Sequence, residues 1–395
     1  MKTTIPHTRD RSTPAVVTPR TVPVHTVTLC GAGAVGRALA AHFPELGVSH
    51  LQVIDPKTYS TRSIATQCEP QEVGYPKALV VAGLARERGL DARAHATDLF
   101  HVPDGIVGEA GVIVSCTDNT RALIGANRLA ARMRCRLLKV NIEPLYDTIS
   151  IRAYLPCTDH QPCAECQLSD RHYEQQLHSH SCDAENVQRH TESPRALSAA
   201  AANVAAQALA DLLADGTAAR QWYGHETLVN SRTGQTTRST LERLPDCRWE
   251  HGRCWTNLFW LTETPSDVSL EQLVPLSQRA PSTRVRFTFD HGLTRWVCCD
   301  GCRARRRATW WCADLGSAVG TCSQCGALVR PFPFGIRQSA TSHQLRDVYR
   351  RPLAAWGVPF DAVIEVESQG YVRTFVLGGA NPTSKTNPIT EAIIE

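Results

Sequence analysis

The 395-residue sequence predicts an α/β chain, with a parallel sheet covered on both faces by helices and a cysteine-rich domain after it. Three observations carry that expectation. Short β-branched runs alternate with helix-period segments from about residue 25 to 213. A glycine-rich turn joins the first run to the first helix. The cysteines of the later sequence fall in Cys-x-x-Cys pairs. Hydrophobic residues make up 42% and charged residues 20%, the composition of a folded chain. With 42 basic and 38 acidic residues the net charge is only +4, which argues against nucleic acid or an anionic membrane as the main partner. At ~150 residues per domain the length suggests two or three domains.

The elements follow in order. Met1 to Pro23 is rich in Thr, Pro and Arg and reads as a flexible arm without an apolar signal core (residues 1–24). Val24 to Leu29 reads as a strand, Gly36 to Leu46 as a helix, Leu51 to Ile54 as a strand and Pro76 to Arg88 as a helix. Gly111 to Cys116 is a buried strand, Thr120 to Arg134 a helix with Leu123, Asn127 and Ala130 on one face, and Leu137 to Val140 a strand. After the strand Ile149 to Leu155 comes a polar stretch from Cys157 to Pro194, then the Ala-rich helix Pro194 to Leu213 with Leu197, Ala201, Val204, Ala208 and Leu212 as its stripe. Asn203, Gln207 and Asp211 interrupt it, so no membrane span is expected. Trp222 to Trp260 is strand-like and closes the first domain, 25–260. The second, 261–395, carries a cysteine cluster at about 298–325 and a small α/β-looking tail, with a polar end from Asn381. Sixteen cysteines without an export signal point to a reducing, cytoplasmic setting, where paired cysteines act as metal ligands or reactive thiols.

The glycine turn is Gly31-Ala32-Gly33-Ala34-Val35-Gly36. Between strand and helix, such glycines let backbone amides approach a phosphate, and Asp55 at the end of the next strand sits where a carboxylate binds ribose hydroxyls. This motif says nucleotide and does not choose NAD over ATP. The residues after it do: Lys57, Arg62, Gln67 and Lys77 supply clustered polar and cationic groups that a triphosphate under attack needs and a dehydrogenase does not. The strand ending at Ser115 leads into Cys116-Thr117-Asp118-Asn119, where a carboxylate can hold Mg²⁺.

Together the Gly loop, Asp55, Ser63-Ile64-x-Thr66-Gln67, Gly74-x-x-Lys77-Ala78 and Thr117-Asp118-Asn119 resemble the ThiF/MoeB/ubiquitin-activating superfamily, over about residues 25–254. The resemblance implies a Rossmann-like adenylation domain with a zinc-bearing crossover. It implies ATP-dependent adenylylation of the C-terminal glycine of a ubiquitin-like or sulfur-carrier protein, and a homodimer. It places Asp55 on ribose, Lys77 on the α-phosphate and Asp118 on Mg²⁺. The family usually reads Asn-Leu-x-Arg-Gln where this chain has Thr66 before Gln67. Arg62 either substitutes for the missing phosphate-binding arginine or is a solvated charge. Arg9 or Arg11 stands for the arginine the family donates across its dimer.

Zinc is expected to account for seven or eight of the sixteen cysteines. The resemblance implies one tetrahedral site formed by Cys163, Cys166 and Cys247, the last in a Leu244-Pro245-Asp246-Cys247 stretch that matches the family, with His251 slightly favoured over Cys254 as the fourth ligand. Cys299-x₂-Cys302 and Cys322-x₂-Cys325 have zinc-ribbon spacing, with Cys298 and Cys312 as spares. Arg303, Arg305, Arg306 and Arg307 beside Trp310 and Trp311 read as a protein-docking or structural patch in preference to a nucleic-acid one.

Cys182, in the crossover before the Ala-rich helix, resembles the segment where thioester-forming members carry their nucleophile. His178 or His180 would lower its pKa. A zinc-ligand role competes. The leading expectation is adenylylation, a thioester on Cys182 and transfer to a conjugating enzyme. One alternative is a sulfur-carrier or peptide adenylyltransferase without the thioester. Another, of a different class, is a non-catalytic zinc-ribbon module with a nucleotide-sensing domain. The Gly378-Gly379 pair reads as a turn.

Overall fold

The computed structural model describes residues 25–378, apart from 108–110, 157, 159, 179–193, 215, 275–283, 313–317 and 333–334. Its first sheet has the order β3-β2-β1-β4-β5-β6-β7-β8. The strands are β1 Thr26–Cys30, β2 His50–Ile54, β3 Asp91–His95, β4 Val112–Ser115, β5 Arg136–Glu143, β6 Thr148–Tyr154, β7 His225–Asn230 and β8 Thr236–Thr240. Pairing is parallel from β3 through β5 and antiparallel from β5 through β8. The order reverses at β1 and β4, and that switch opens a ligand crevice at the carboxyl ends of the strands.

The parallel strands inside edge strand β3 are largely apolar on both faces. Val27, Leu29, Val112, Val114, Leu138 and Val140 form one core with helices α1 Ala34–Ala40, α2 Lys77–Glu87 and the later helix Arg195–Ala214. The opposite core joins Ile113 and Leu137 to Leu123, Ala126 and Leu129 of α3 Thr120–Arg132. α4 is Asp170–His178 and the Ala-rich helix is α5. α5 is long and apolar enough to cross a membrane by length and composition. In this fold its alanines pack against the sheet, where a small side chain allows close backbone approach.

The second sheet runs β12-β13-β10-β15-β16-β9, with β11 and β14 also on β10. Its strands are β9 Leu258–Trp260, β10 Arg286–Cys299, β11 Arg305–Cys312, β12 Gly320–Thr321, β13 Leu328–Pro331, β14 Arg337–Thr341, β15 Val363–Ser368 and β16 Tyr371–Val376. Trp260, Val363 and Val376 enter the same apolar cluster as Ile106, Ile113 and Leu129, so a continuous core joins the two sheets. Beside it, fully buried Asp104 accepts two hydrogen bonds from Arg132, at 2.6 Å each, and one from Trp255 Nε1 at 2.8 Å.

Two expectations need correction, and one strand lies in a stretch to which the sequence assigned no element. The first helix ends at Ala40 and gives way to turns before Leu46, because Pro44 disfavours helical geometry at Phe43. Asp91–His95, too polar to read as a strand, is the edge strand of the sheet. Past the cysteine cluster the described tail consists of strands joined by turns and one 3₁₀ helix, with no α-helix among the described residues. The polar end from Asn381 lies outside the described residues.

Candidate active site and zinc centres

β1 delivers the glycine loop to the crevice. Gly31 has φ +92°, a left-handed backbone that favours glycine, and a Cβ there would stand 2.9 Å from the Cys116 carbonyl oxygen. A Cβ on Gly36 would run into the Gly31 carbonyl, so this glycine lets α1 start against the strand. Asp55, buried at the end of β2, accepts from Ala32 N at 2.7 Å and from Lys57 N at 2.8 Å. It thereby holds the loop, and each carboxylate oxygen keeps a lone pair for a ribose hydroxyl.

Lys77 opens α2 and is buried. Its Nζ donates to Gln67 Oε1 at 2.7 Å and lies 5.3 Å from the centre of the Tyr59 ring. Burial lowers its pKa, while Asp55 and Asp118 draw it back up. Across the crevice Asp118 is half-exposed, with Lys57 Nζ 3.6 Å from its carboxylate. Gly31, Gly33, Gly36, Asp55, Gln67, Lys77 and Asp118 therefore gather at one end of the sheet. Arg62 is exposed on a 3₁₀ turn, Thr61–Ala65.

Several groups here escape a motif search. Tyr59 is buried and donates to the Ala32 carbonyl at 3.2 Å, bracing the loop from below. Arg37 is clamped by Glu72 at 2.6 and 2.9 Å. Arg195 of α5 donates to the Ile64 carbonyl at 2.7 Å and the Cys68 carbonyl at 3.2 Å, fixing the segment that carries Thr66 and Gln67. These two arginines, with Thr66 and Gln67, line a cavity of about 380 Å³ behind the loop. On the neighbouring strand, Lys139 is held down to about 8 by burial and by Arg152, with Asp118 and Cys116 acting the other way. A lysine inside an apolar strand was the one available signal. Burial pushes the Cys116 thiol up to about 12, so it is no nucleophile near neutral pH.

Cys163, Cys166, Cys247 and His251 bring one ligand atom each within 4.8 Å of one another. Four sulfurs about 2.3 Å from a tetrahedral zinc would lie about 3.8 Å apart. Cys163 Sγ is 3.8 Å from Cys166 Sγ and 3.7 Å from Cys247 Sγ, and His251 Nε2 is 3.3 Å from Cys166 Sγ. The donor set thus fits zinc, and of the two alternatives for the fourth position it is His251 that reaches the cluster. Glu165, between two of the cysteines, is buried against Arg128 at 3.0 Å, Asn127 at 3.2 Å and Tyr173 at 2.8 Å. Asn127 also accepts from Ala164 N at 2.9 Å, which explains a polar residue on the buried face of α3. The knuckle is pinned to the helix that borders the crevice.

The second group is Cys299, Cys302, Cys322 and Cys325, again within 4.8 Å. Cys299 Sγ is 3.4 Å from Cys325 Sγ and Cys302 Sγ is 3.7 Å from Cys322 Sγ. Neither Cys298 nor Cys312 belongs to this group. The first cluster offers three thiolates and an imidazole and the second four thiolates, both donor sets of structural zinc, and either could hold it. Cys182, Cys157, His180, Arg9 and Arg11 lie outside the described residues, as does Gly379.

Against known proteins, a family model described as the ThiF family matches residues 23–328. Among solved structures, E. coli MccB with ATP is 16% identical, covering 57% of this chain and 65% of its own, with a TM-score of 0.44. This chain thus spans just under two thirds of that protein. PaaA is 18% identical over 55% of this chain and 73% of its own, with a TM-score of 0.43. No curated protein matches.

Proposed function

Since the chain belongs to the ThiF family, matched over residues 23–328, we propose that it uses ATP to adenylylate the C-terminal glycine of a ubiquitin-like or sulfur-carrier protein. The observation that carries this reading is the convergence of Asp55, Lys77 and Asp118 around a bare glycine loop at the switch point of the sheet.

In this account a carboxylate oxygen of the substrate attacks the α-phosphorus. The bond to the pyrophosphate oxygen breaks, pyrophosphate leaves, and an acyl-adenylate remains. Asp55 orients the ribose while holding the loop. Lys77, desolvated and aimed by Gln67, meets the charge that grows on the α-phosphate oxygens, where low surrounding polarity strengthens the contact. Asp118 is the residue to hold Mg²⁺, which when bound would neutralise phosphate charge; Lys57 is its present counter-ion. The Arg that the family places before Gln67 is Thr66 here, and Arg37, Arg88 and Arg195 are the cations that line the cavity behind that segment. Arg62 is the exposed alternative. Zinc held by the two clusters would serve structure: one would fasten the crossover to α3, the other brace the second sheet. The thiolate of Cys182 would then attack the acyl carbon, releasing AMP and leaving a thioester for a conjugating enzyme.

Intact-mass analysis tests this. The protein is mixed with ATP, Mg²⁺ and small proteins ending in Gly-Gly. An adenylylated carrier supports the reading, and a thiol-sensitive adduct lost in Cys182→Ala supports the second step. Adenylate without adduct restricts the protein to the first step. No adenylate with any carrier, and none with carboxyl-terminal peptides, overturns the proposal.

A further inference from the structure

We propose that Lys139 is the anchor for the substrate's terminal carboxylate, on the α3 face of the sheet and in register with the end of the strand that leads to Asp118. The inference rests on the adenylylation reading and adds to it a residue outside every motif of the sequence.

Side chains alternate along β5. Leu138 and Val140 enter the core shared with α1 and α5, so Leu137 and Lys139 face the other way, beside Ile113 and Ser115 of β4. Leu137 is fully buried there, and Lys139 begins where that apolar core ends, toward the carboxyl end of the strand. The register sets Ser115, Lys139, Arg152 and Glu226 side by side across four strands. The row starts at the residue three before Asp118.

Each other member of this row has its partner. Arg152 is neutralised by Glu226, at 2.8 Å from Nε and 2.7 Å from Nη2. Ser150 adds a hydrogen bond to the same carboxylate at 2.7 Å, and Ser115 Oγ lies 3.1 Å from Thr117 Oγ1. Lys139 has no carboxylate within ion-pair distance among the described residues, and its strand neighbour is a cation. Burial and Arg152 disfavour its charge, and Asp118 and Cys116 offset only part of that. An ammonium kept in that position gains most from an anion that arrives with the substrate, because the incoming charge offsets both penalties.

The chemistry of the site names that anion. The reacting group must approach the phosphates held between the glycine loop and Asp118, and Lys139 stands one strand away from that approach. A lysine binds a carboxylate as a point charge and occupies one oxygen, leaving the second free to attack. An arginine fork would engage both oxygens. The row would thus recognise a chain terminus over a side-chain amide or a blocked end.

The test uses the full-length protein and two fluorescein-labelled pentapeptides ending in Gly-Gly, one with a free carboxylate and one amidated. Fluorescence polarisation gives the affinity of each for wild type, Lys139→Met and Lys139→Arg. Wild type should prefer the carboxylate peptide by roughly tenfold or more, the scale of a charge-assisted hydrogen bond. The ratio should fall to about one in Lys139→Met and recover in part in Lys139→Arg. Lys139→Gln serves in place of the methionine variant if that variant melts early. Equal affinities in wild type, or an undiminished ratio in the methionine or glutamine variant, overturns the proposal. Calorimetry of wild type with Mg-ATP stands apart: no ATP binding alongside a retained carboxylate preference would sink the adenylylation reading and spare the anchor.

Discussion

Replacing Arg132 with methionine removes the guanidinium from a carboxylate that has no access to water. Asp104 is 0% exposed, and its two hydrogen bonds from Arg132, both 2.6 Å, are its only ones from a charged group among the described residues. What remains is Trp255 Nε1 at 2.8 Å, a neutral donor. A second buried carboxylate is close by, since Asp290 Oδ2 accepts from the Asp104 backbone N at 3.0 Å and from Val363 N at 3.1 Å. Methionine keeps most of the apolar stem, so the lost term is electrostatic. Breaking a buried pair by removing one partner costs about 3–5 kcal/mol. With ~2.1 cal/mol/K of unfolding entropy per residue over this chain, each kcal/mol shifts the midpoint by roughly 1 °C, and the melting temperature should fall by roughly 4–6 °C in a calorimetric scan. The companion variant carries Asp104→Asn as well. Without a charge to bury, the double variant should regain stability relative to Arg132→Met, and the cycle should show a positive coupling. A loss below about 1 kcal/mol, or a double variant less stable than both singles combined, would refute the reasoning.

Other outcomes follow from the same geometry. His95 is held down to about 4 by burial and by Arg93, so between about pH 6.5 and 4 the folded state binds fewer protons than the unfolded one. Its contribution is present above pH 6.5 and lost as pH falls toward 4; chemical denaturation of wild type should weaken over that window more steeply than that of His95→Gln. Metal analysis should find about two zinc ions per chain, with one lost in Cys299→Ser and the other weakened in His251→Ala but kept in Cys254→Ala. Gly36→Ala sets a Cβ against the Gly31 carbonyl, so the loop must shift; a destabilisation of about 1–3 kcal/mol in urea and weaker ATP binding are expected.

How much of this was legible depended on where the constraint was written. The loop and its strand were legible because glycine spacing and the following Asp55 are imposed by backbone geometry within one βαβ unit. The second cysteine cluster was legible because a tetrahedral site needs paired thiols at short spacing. His251 needed the structure to stand out from Cys254, since both are within loop reach of Cys247. Asp91–His95 was missed because an edge strand needs no apolar face, and its Asp91 and His95 pair across to His50 and Gln52 of β2. Tyr59, Glu72 and Arg195 were illegible for a different reason. Each acts on a residue far away in sequence, Ala32, Arg37 and Ile64 respectively, and no local pattern marks such a bond. Lys139 was half legible: a charge inside Leu137-Leu138-Lys139-Val140 breaks the apolar run, but only the register with Ser115 and Arg152 shows what surrounds it.

The central claim is that the crevice beneath the glycine loop takes ATP for an acyl transfer and not a dinucleotide for hydride transfer. Isothermal titration of the full-length protein with ATP and with NAD, each in Mg²⁺, tests it most directly. The account predicts ATP binding that weakens roughly tenfold or more in both Lys77→Ala and Asp118→Ala, as loss of a charge-assisted contact implies, with unchanged melting and no comparable NAD affinity. NAD binding in wild type with none for ATP, or ATP binding indifferent to both substitutions, would contradict it.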